Sequence, residues 1–188
     1  MDPLAKIFGS PGRMKLLRLF LFNDDAAFSF KDAAFRAKLS KALARREMAL
    51  LLASGIIMRR GGKSVTYQAN KRFEHYEPFR IFLRSTTTVK DADLVRIFKK
   101  VGNLKVLILS GLFTGAIEPK VDVLIVADRI DERALKGAIH AVEAELGREL
   151  RYAAFLTPDF RYRVGVYDRL IRDVRDYPNR VIFDRLGL

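Results

Sequence analysis

The chain has 188 residues, 49% hydrophobic and 30% charged, with 35 Lys and Arg against 22 Asp and Glu for a net charge of +13. That apolar fraction excludes a disordered polycation, and the length allows one large domain or two small ones. The absence of Cys excludes disulfides and thiolate metal sites, and with only His75 and His140 a His-rich metal centre is disfavoured, so no cofactor is expected.

The longest nearly uncharged stretch, Met48 to Met58, is eleven residues, whereas a membrane span needs roughly 20. No membrane partner is expected, and the start, MDPLAKIFGSPGR, has no apolar core of signal-peptide type, so the expected location is the cytoplasm. Charge is uneven: residues 1–75 carry 15 Lys and Arg against 6 Asp and Glu, net +9, and residues 76–188 carry the remaining +4. A local excess of that size on a compactly patterned segment points to a polyanion partner; plain solubility is the alternative.

In chain order, Pro11 to Phe22 places Met14, Leu17, Leu21 and Leu16, Phe20 at helical spacing, with Ser10 as N-cap and Asn23-Asp24-Asp25 as the stop. A short strand, Phe28–Lys31, leads to a second helix near Asp32–Lys38. Ser40 caps a third, Lys41–Ala53, ending before Gly55. Leu43, Met48, Leu51 and Leu52 are expected toward the core, which leaves Lys41, Ala42, Arg45, Arg46 and Ala49 outward. Ile56–Arg60 and Ser64–Asn70 flank Gly61-Gly62-Lys63, a hairpin signal because paired glycines tolerate the positive φ of a tight turn. The hairpin tip is basic, with Arg59, Arg60 and Lys63.

Helix, strand, helix, basic helix and basic hairpin in that order, with Ser40-x-x-Leu43 … Leu51-x-x-x-Gly55-Ile56-Ile57, resemble the winged helix-turn-helix of bacterial and archaeal transcription regulators over residues 4–72. The resemblance implies double-stranded DNA as partner. The contacts would come from Lys41, Arg45, Arg46, Arg59, Arg60 and Lys63, since Arg bonds guanine bidentately in the major groove and wing cations reach phosphate.

Residues 73–101 hold two short helical patterns around Ser85-Thr86-Thr87-Thr88, with Phe79, Phe82, Leu83 and then Leu94, Ile97, Phe98, Val101 as apolar faces. Covering a second domain, joining two domains and forming a dimer interface are all open to this segment. Leu104–Gly111, Val121–Asp128 and Glu149–Thr157 read as strands, and Asp131–Leu146 as an amphipathic helix closed by Gly147. A further helix from Thr157 would carry Tyr167, Leu170, Ile171 and Val174 as its apolar positions, with Tyr167 in the core, and Val181–Phe183 closes the chain. Arg161, Arg163, Arg169 and Arg172 either decorate a solvated helix or add phosphate contacts.

Ser110-Gly111, a short loop and Val121-Asp122-Val123-Leu124-Ile125-Val126, ending in Val166-Tyr167-Asp168-Arg169-Leu170-Ile171-Arg172-Asp173, resemble the minimal nucleotidyltransferase domain of the polymerase-beta superfamily over about residues 103–186. The resemblance implies a phosphate-holding Gly-Ser pair and carboxylates two apart that hold magnesium, the spacing of two putting both on one strand face. The chain departs from this pattern. Asp122 matches the second carboxylate, Lys120 stands at the first, the third strand has no Asp or Glu, and Leu112 follows Gly111. Ser110, Gly111, Lys120 and Asp122 therefore read as a vestigial site without catalysis, Asp122 being paired with Lys120 or a nearby Arg.

The expected architecture is a two-domain protein of α+β or α/β class: a winged helix (1–72), a helical connector (73–102) and a small nucleotidyltransferase-like mixed sheet with flanking helices (103–188). The expected function is that of a DNA-binding transcriptional regulator, homodimeric, whose second domain serves oligomerisation, a protein partner or a small-molecule effector. The alternatives are a nucleotidyltransferase targeted by its winged helix, and a protein-interaction module.

Overall fold

The computed structural model describes residues 3–62, 64–115 and 120–187 and is of mixed α+β class, with two small sheets. Its described residues fall into two compact units, one within Met1–Val89 together with His140–Arg148, the other within Lys90–Ile139 together with Glu149–Leu188.

The first unit is built around α2 (Pro11–Phe22), preceded by α1 (Pro3–Ile7). Ser10 caps α2, its Oγ accepting the Arg13 N–H at 3.3 Å, and a proline at the first helical position needs no partner for its nitrogen. Met14, Leu16, Leu17, Leu19, Phe20 and Leu21 are all buried, so α2 is apolar nearly all round and forms the centre of the unit. Arg18 is buried with them, Nε donating to Thr87 Oγ1 at 2.9 Å and Nη1 to the Glu145 carbonyl at 3.1 Å.

Ser29 caps α3 (Phe30–Arg36) and Ser40 caps α4 (Lys41–Ala53). α4 buries Ala44, Glu47, Met48 and Leu51 and ends at Gly55, whose φ of +76° is the left-handed backbone that closes many helices. Leu43 and Leu52, expected in the core, are only partly buried; Ala44 and Glu47 take the innermost places. β1 (Ile57–Arg60) and β2 (Thr66–Ala69) form an antiparallel hairpin. The expected strand at Phe28–Lys31 shrinks to a single bridge, Phe28 to Tyr67, because Ser29 turns the chain into α3 and Phe30 is already helical. Neither Gly61 nor Gly62 takes a left-handed φ, and the connection between the strands, residues 61–65, is longer than a two-residue tight turn.

α5 (Tyr76–Thr86) and His140–Leu146, the last half of α7 (Glu132–Leu146), complete the unit. The His140 ring stacks on Phe35 at 4.5 Å and donates from Nε2 to the Phe35 carbonyl at 2.8 Å. After α7, Gly147 has φ +71°, and a Cβ there would lie 2.5 Å from the Arg18 carbonyl carbon, so this position is closed to a side chain.

The second unit holds a four-stranded mixed sheet in the order β5 (Tyr152–Leu156), β4 (Val123–Ala127), β3 (Leu104–Leu109), β6 (Arg180–Asp184). β3 is antiparallel to both β4 and β6, and β4 is parallel to β5, the connection that requires a helical crossover. β3 and β4 alternate two buried faces; Val106, Ile108, Leu124 and Val126 pack in one cluster with Phe160, Ile171 and Val174 from α8 (Thr157–Gly165) and α9 (Arg169–Asp176). α6 (Asp91–Phe98) contributes buried Leu94 and Phe98.

The single helix expected from Thr157 is two helices. The chain leaves α8 through Val166 and Tyr167, and Asp168 caps α9 by accepting the Leu170 and Ile171 N–H groups at 2.9 and 3.3 Å. The apolar spacing runs across the break, which is why it reads as one helix. Tyr167, expected in the core, is 83% exposed, since it occupies the turn and not a helix face.

Candidate nucleic-acid interface

α4 presents Lys41, Arg45 and Arg46 to solvent opposite its buried stripe. Arg45 forms no ion pair among the described residues and its Cζ lies 5.9 Å from the centre of the Phe30 ring. Arg46 is mostly exposed yet tethered: Nη2 donates to Glu47 Oε1 at 2.8 Å and Nε to the same oxygen at 3.3 Å. Glu47 has no exposed side-chain area, and its other oxygen accepts Arg13 Nε at 2.9 Å. Burial by itself would raise the Glu47 carboxyl, but hydrogen bonds from Arg46, Ser10 and Arg13 outweigh it and hold the group below the usual glutamate range.

Arg59 and Arg60 are exposed on β1, opposite Tyr67 and Thr66. Arg60 lines an open depression of about 450 Å³ with Asp24, Asp25, Lys71 and Arg72 among its walls. There Tyr76 donates its hydroxyl to Asp24 at 2.6 Å and Lys71 reaches Asp25 at 2.6 Å. The Tyr76 bond, ahead of Lys71 and Arg80, lowers the Asp24 carboxyl; burial, then Asp24, push the Tyr76 phenol up. Lys63 lies outside the described residues.

In the second unit, Ser110 is buried and donates from Oγ to the Pro178 carbonyl at 3.1 Å, and Gly111, φ +51°, opens a short turn of helix to Phe113. Asp122 is 1% exposed and sits one residue before β4. Its Oδ1 accepts the Leu112 N–H at 2.9 Å; its Oδ2 accepts the Arg151 N–H at 2.9 Å and Arg151 Nε at 3.3 Å. Lys120 is exposed, and the partner of Asp122 is Arg151. Among the described residues no three carboxylates or imidazoles gather. No described helix is long and apolar enough to cross a membrane.

Sequence reasoning placed the basic groups of α4 and β1 on exposed positions. It missed Glu47, whose place in the stripe of Ala44, Met48 and Leu51 was the available signal, and it missed Arg151 as the individual partner of Asp122. Compared with protein-family models, curated proteins and solved structures, the chain matches none.

Proposed function

We propose that this protein is a DNA-binding transcriptional regulator of the cytoplasm, its first unit a winged helix and its second a nucleotidyltransferase-like domain without transferase chemistry. The observation that carries this reading is the face of α4, where Lys41, Arg45 and Arg46 are exposed while Ala44, Glu47, Met48 and Leu51 are buried. A helix so charged suits the major groove. The hairpin that follows exposes Arg59 and Arg60, and the single Phe28–Tyr67 bridge lies where a wing sheet would have its short third strand. Arg45, which pairs with no carboxylate among the described residues, is the better candidate for base contact; Arg46 is held in one orientation by Glu47. Two copies on a palindrome would raise affinity through effective concentration, so self-association belongs to the proposal, with the second unit, a protein partner or a small effector as its regulator.

The alternative of a transferase directed by the winged helix has no comparable observation behind it, because both oxygens of Asp122 are taken up by Leu112 and Arg151. Titration of labelled duplexes over a salt series tests the proposal. Arg45→Ala should relax sequence preference, whereas Arg60→Ala should weaken all duplexes alike and reduce the salt slope by about 1. Binding that ignores salt, or survives both substitutions unchanged, overturns it. Light scattering with and without duplex tests the dimer.

A further inference from the structure

α8 ends in a turn that normally belongs to glycine. The Asp168 N–H returns to the Arg163 carbonyl at 2.9 Å and the Tyr167 N–H to the Val164 carbonyl at 3.3 Å, the paired bonds of a helix stop whose left-handed residue is here Tyr167, φ +53°. α4 uses Gly55 at the equivalent place and α7 is followed by left-handed Gly147. A tyrosine pays conformational energy there, and gains no burial for it, since its side chain is 83% exposed.

The ring stands beside an open groove of about 570 Å³ between α8 and α9, lined also by Arg163, Arg172, Arg175, Asp168 and Asp176. Arg163 and Asp168 satisfy each other at 2.7 Å, and Asp168 also caps α9. Arg172 and Arg175 form no ion pair among the described residues and are exposed; Asp176, at the end of α9, is the one remaining carboxylate of the lining. The groove thus joins an exposed aromatic face, held at a cost to the backbone, to two guanidiniums that make no ion pair among the described residues.

We propose that this groove binds single-stranded nucleic acid, one unstacked base lying on Tyr167 with the flanking phosphates at Arg172 and Arg175. Stacking on an aromatic ring requires a base whose face is open, which a duplex interior does not offer, and Arg is suited to the phosphates on either side. The groove lies wholly within the second unit and is separate from the duplex surface proposed on α4, so neither reading depends on the other.

The test uses the full chain with Lys41, Arg45, Arg59 and Arg60 each replaced by Ala, to weaken binding by the first unit. Binding of a labelled twelve-nucleotide single strand is followed by anisotropy, and, the chain having six Tyr and no Trp, quenching of tyrosine emission that is lost in Tyr167→Phe reports stacking on Tyr167. Tyr167→Phe should keep the affinity, and Tyr167→Leu should weaken it by about 5-fold or more. Tyr167→Gly should weaken binding equally while raising the unfolding midpoint by about 2–4 °C, the relief of a left-handed side chain. Replacing Arg172 and Arg175 with Gln should reduce the salt slope by about 1.4. The proposal is overturned if Tyr167→Leu binds like Tyr167→Phe, if an unlabelled duplex competes as well as the single strand, or if only a free mononucleotide binds.

Discussion

Arg13 on α2 meets Glu47 on α4 at 2.9 Å, at a point where Glu47 has no exposed side-chain area, and the same carboxylate holds Arg46 on the outer face of α4 at 2.8 Å. One buried acid therefore ties the central helix of the first unit to the helix that carries its outward cations. Removing Arg13 would leave the buried Glu47 charge with only the exposed Arg46 as an ionic partner.

Arg13→Ala should accordingly destabilise the chain by about 3 kcal/mol, and Arg46→Ala by less than about 1, because Arg46 is largely exposed. Urea unfolding at neutral pH measures both. Equal effects of the two substitutions would mean that Arg13 matters to the buried Glu47 no more than the exposed Arg46 does.

Acid should act through the same group. Glu47, Asp24 and Asp168 all have carboxyls lowered in the folded chain, so the unfolded chain binds more protons than the folded one at acid pH. The stability they contribute is complete above the ordinary carboxylate range and is lost as pH falls through about 4 toward the lowered folded values. Urea midpoints measured from about pH 7 to about pH 3 should decline in that window, and less steeply in Glu47→Gln.

Two left-handed positions should respond in opposite directions. Lys38 ends α3 with φ 54° and is exposed, its N–H bonded to the Phe35 carbonyl at 2.9 Å. Lys38→Gly should stabilise by about 1 kcal/mol. Gly147→Ala, where a Cβ would stand 2.5 Å from the Arg18 carbonyl carbon, should destabilise by about 3 kcal/mol. Thermal melting separates the two.

Asp122→Ala would take the buried charged acceptor away from the Leu112 and Arg151 N–H groups, at about 2 kcal/mol, while leaving duplex affinity unchanged. Chemical unfolding and a duplex titration on the same preparation check the pair of expectations. A large loss of duplex binding in a chain that stays folded would give Asp122 a role in duplex recognition.

What local chemistry dictates is legible in the order of the residues themselves. Ser10 and Ser40 as caps, Pro11 at a first helical turn, Gly55 and Gly147 at helix ends, and the apolar runs of β3 and β4 each declare themselves within a few residues. The outward cations of α4 follow from the same 3.6-residue period. Tertiary packing alone decided the rest. Whether Glu47 is buried depends on Arg13, 34 residues earlier, arriving to neutralise it. Asp122 took Arg151, 29 residues away, as its partner. The spacing that made Tyr167 look like a core residue continues through a break that only backbone hydrogen bonds reveal. Periodicity records which residues would share a face if a helix continued; a left-handed residue ends the helix without interrupting the pattern, and a buried charge is tolerated only when a distant partner is brought to it.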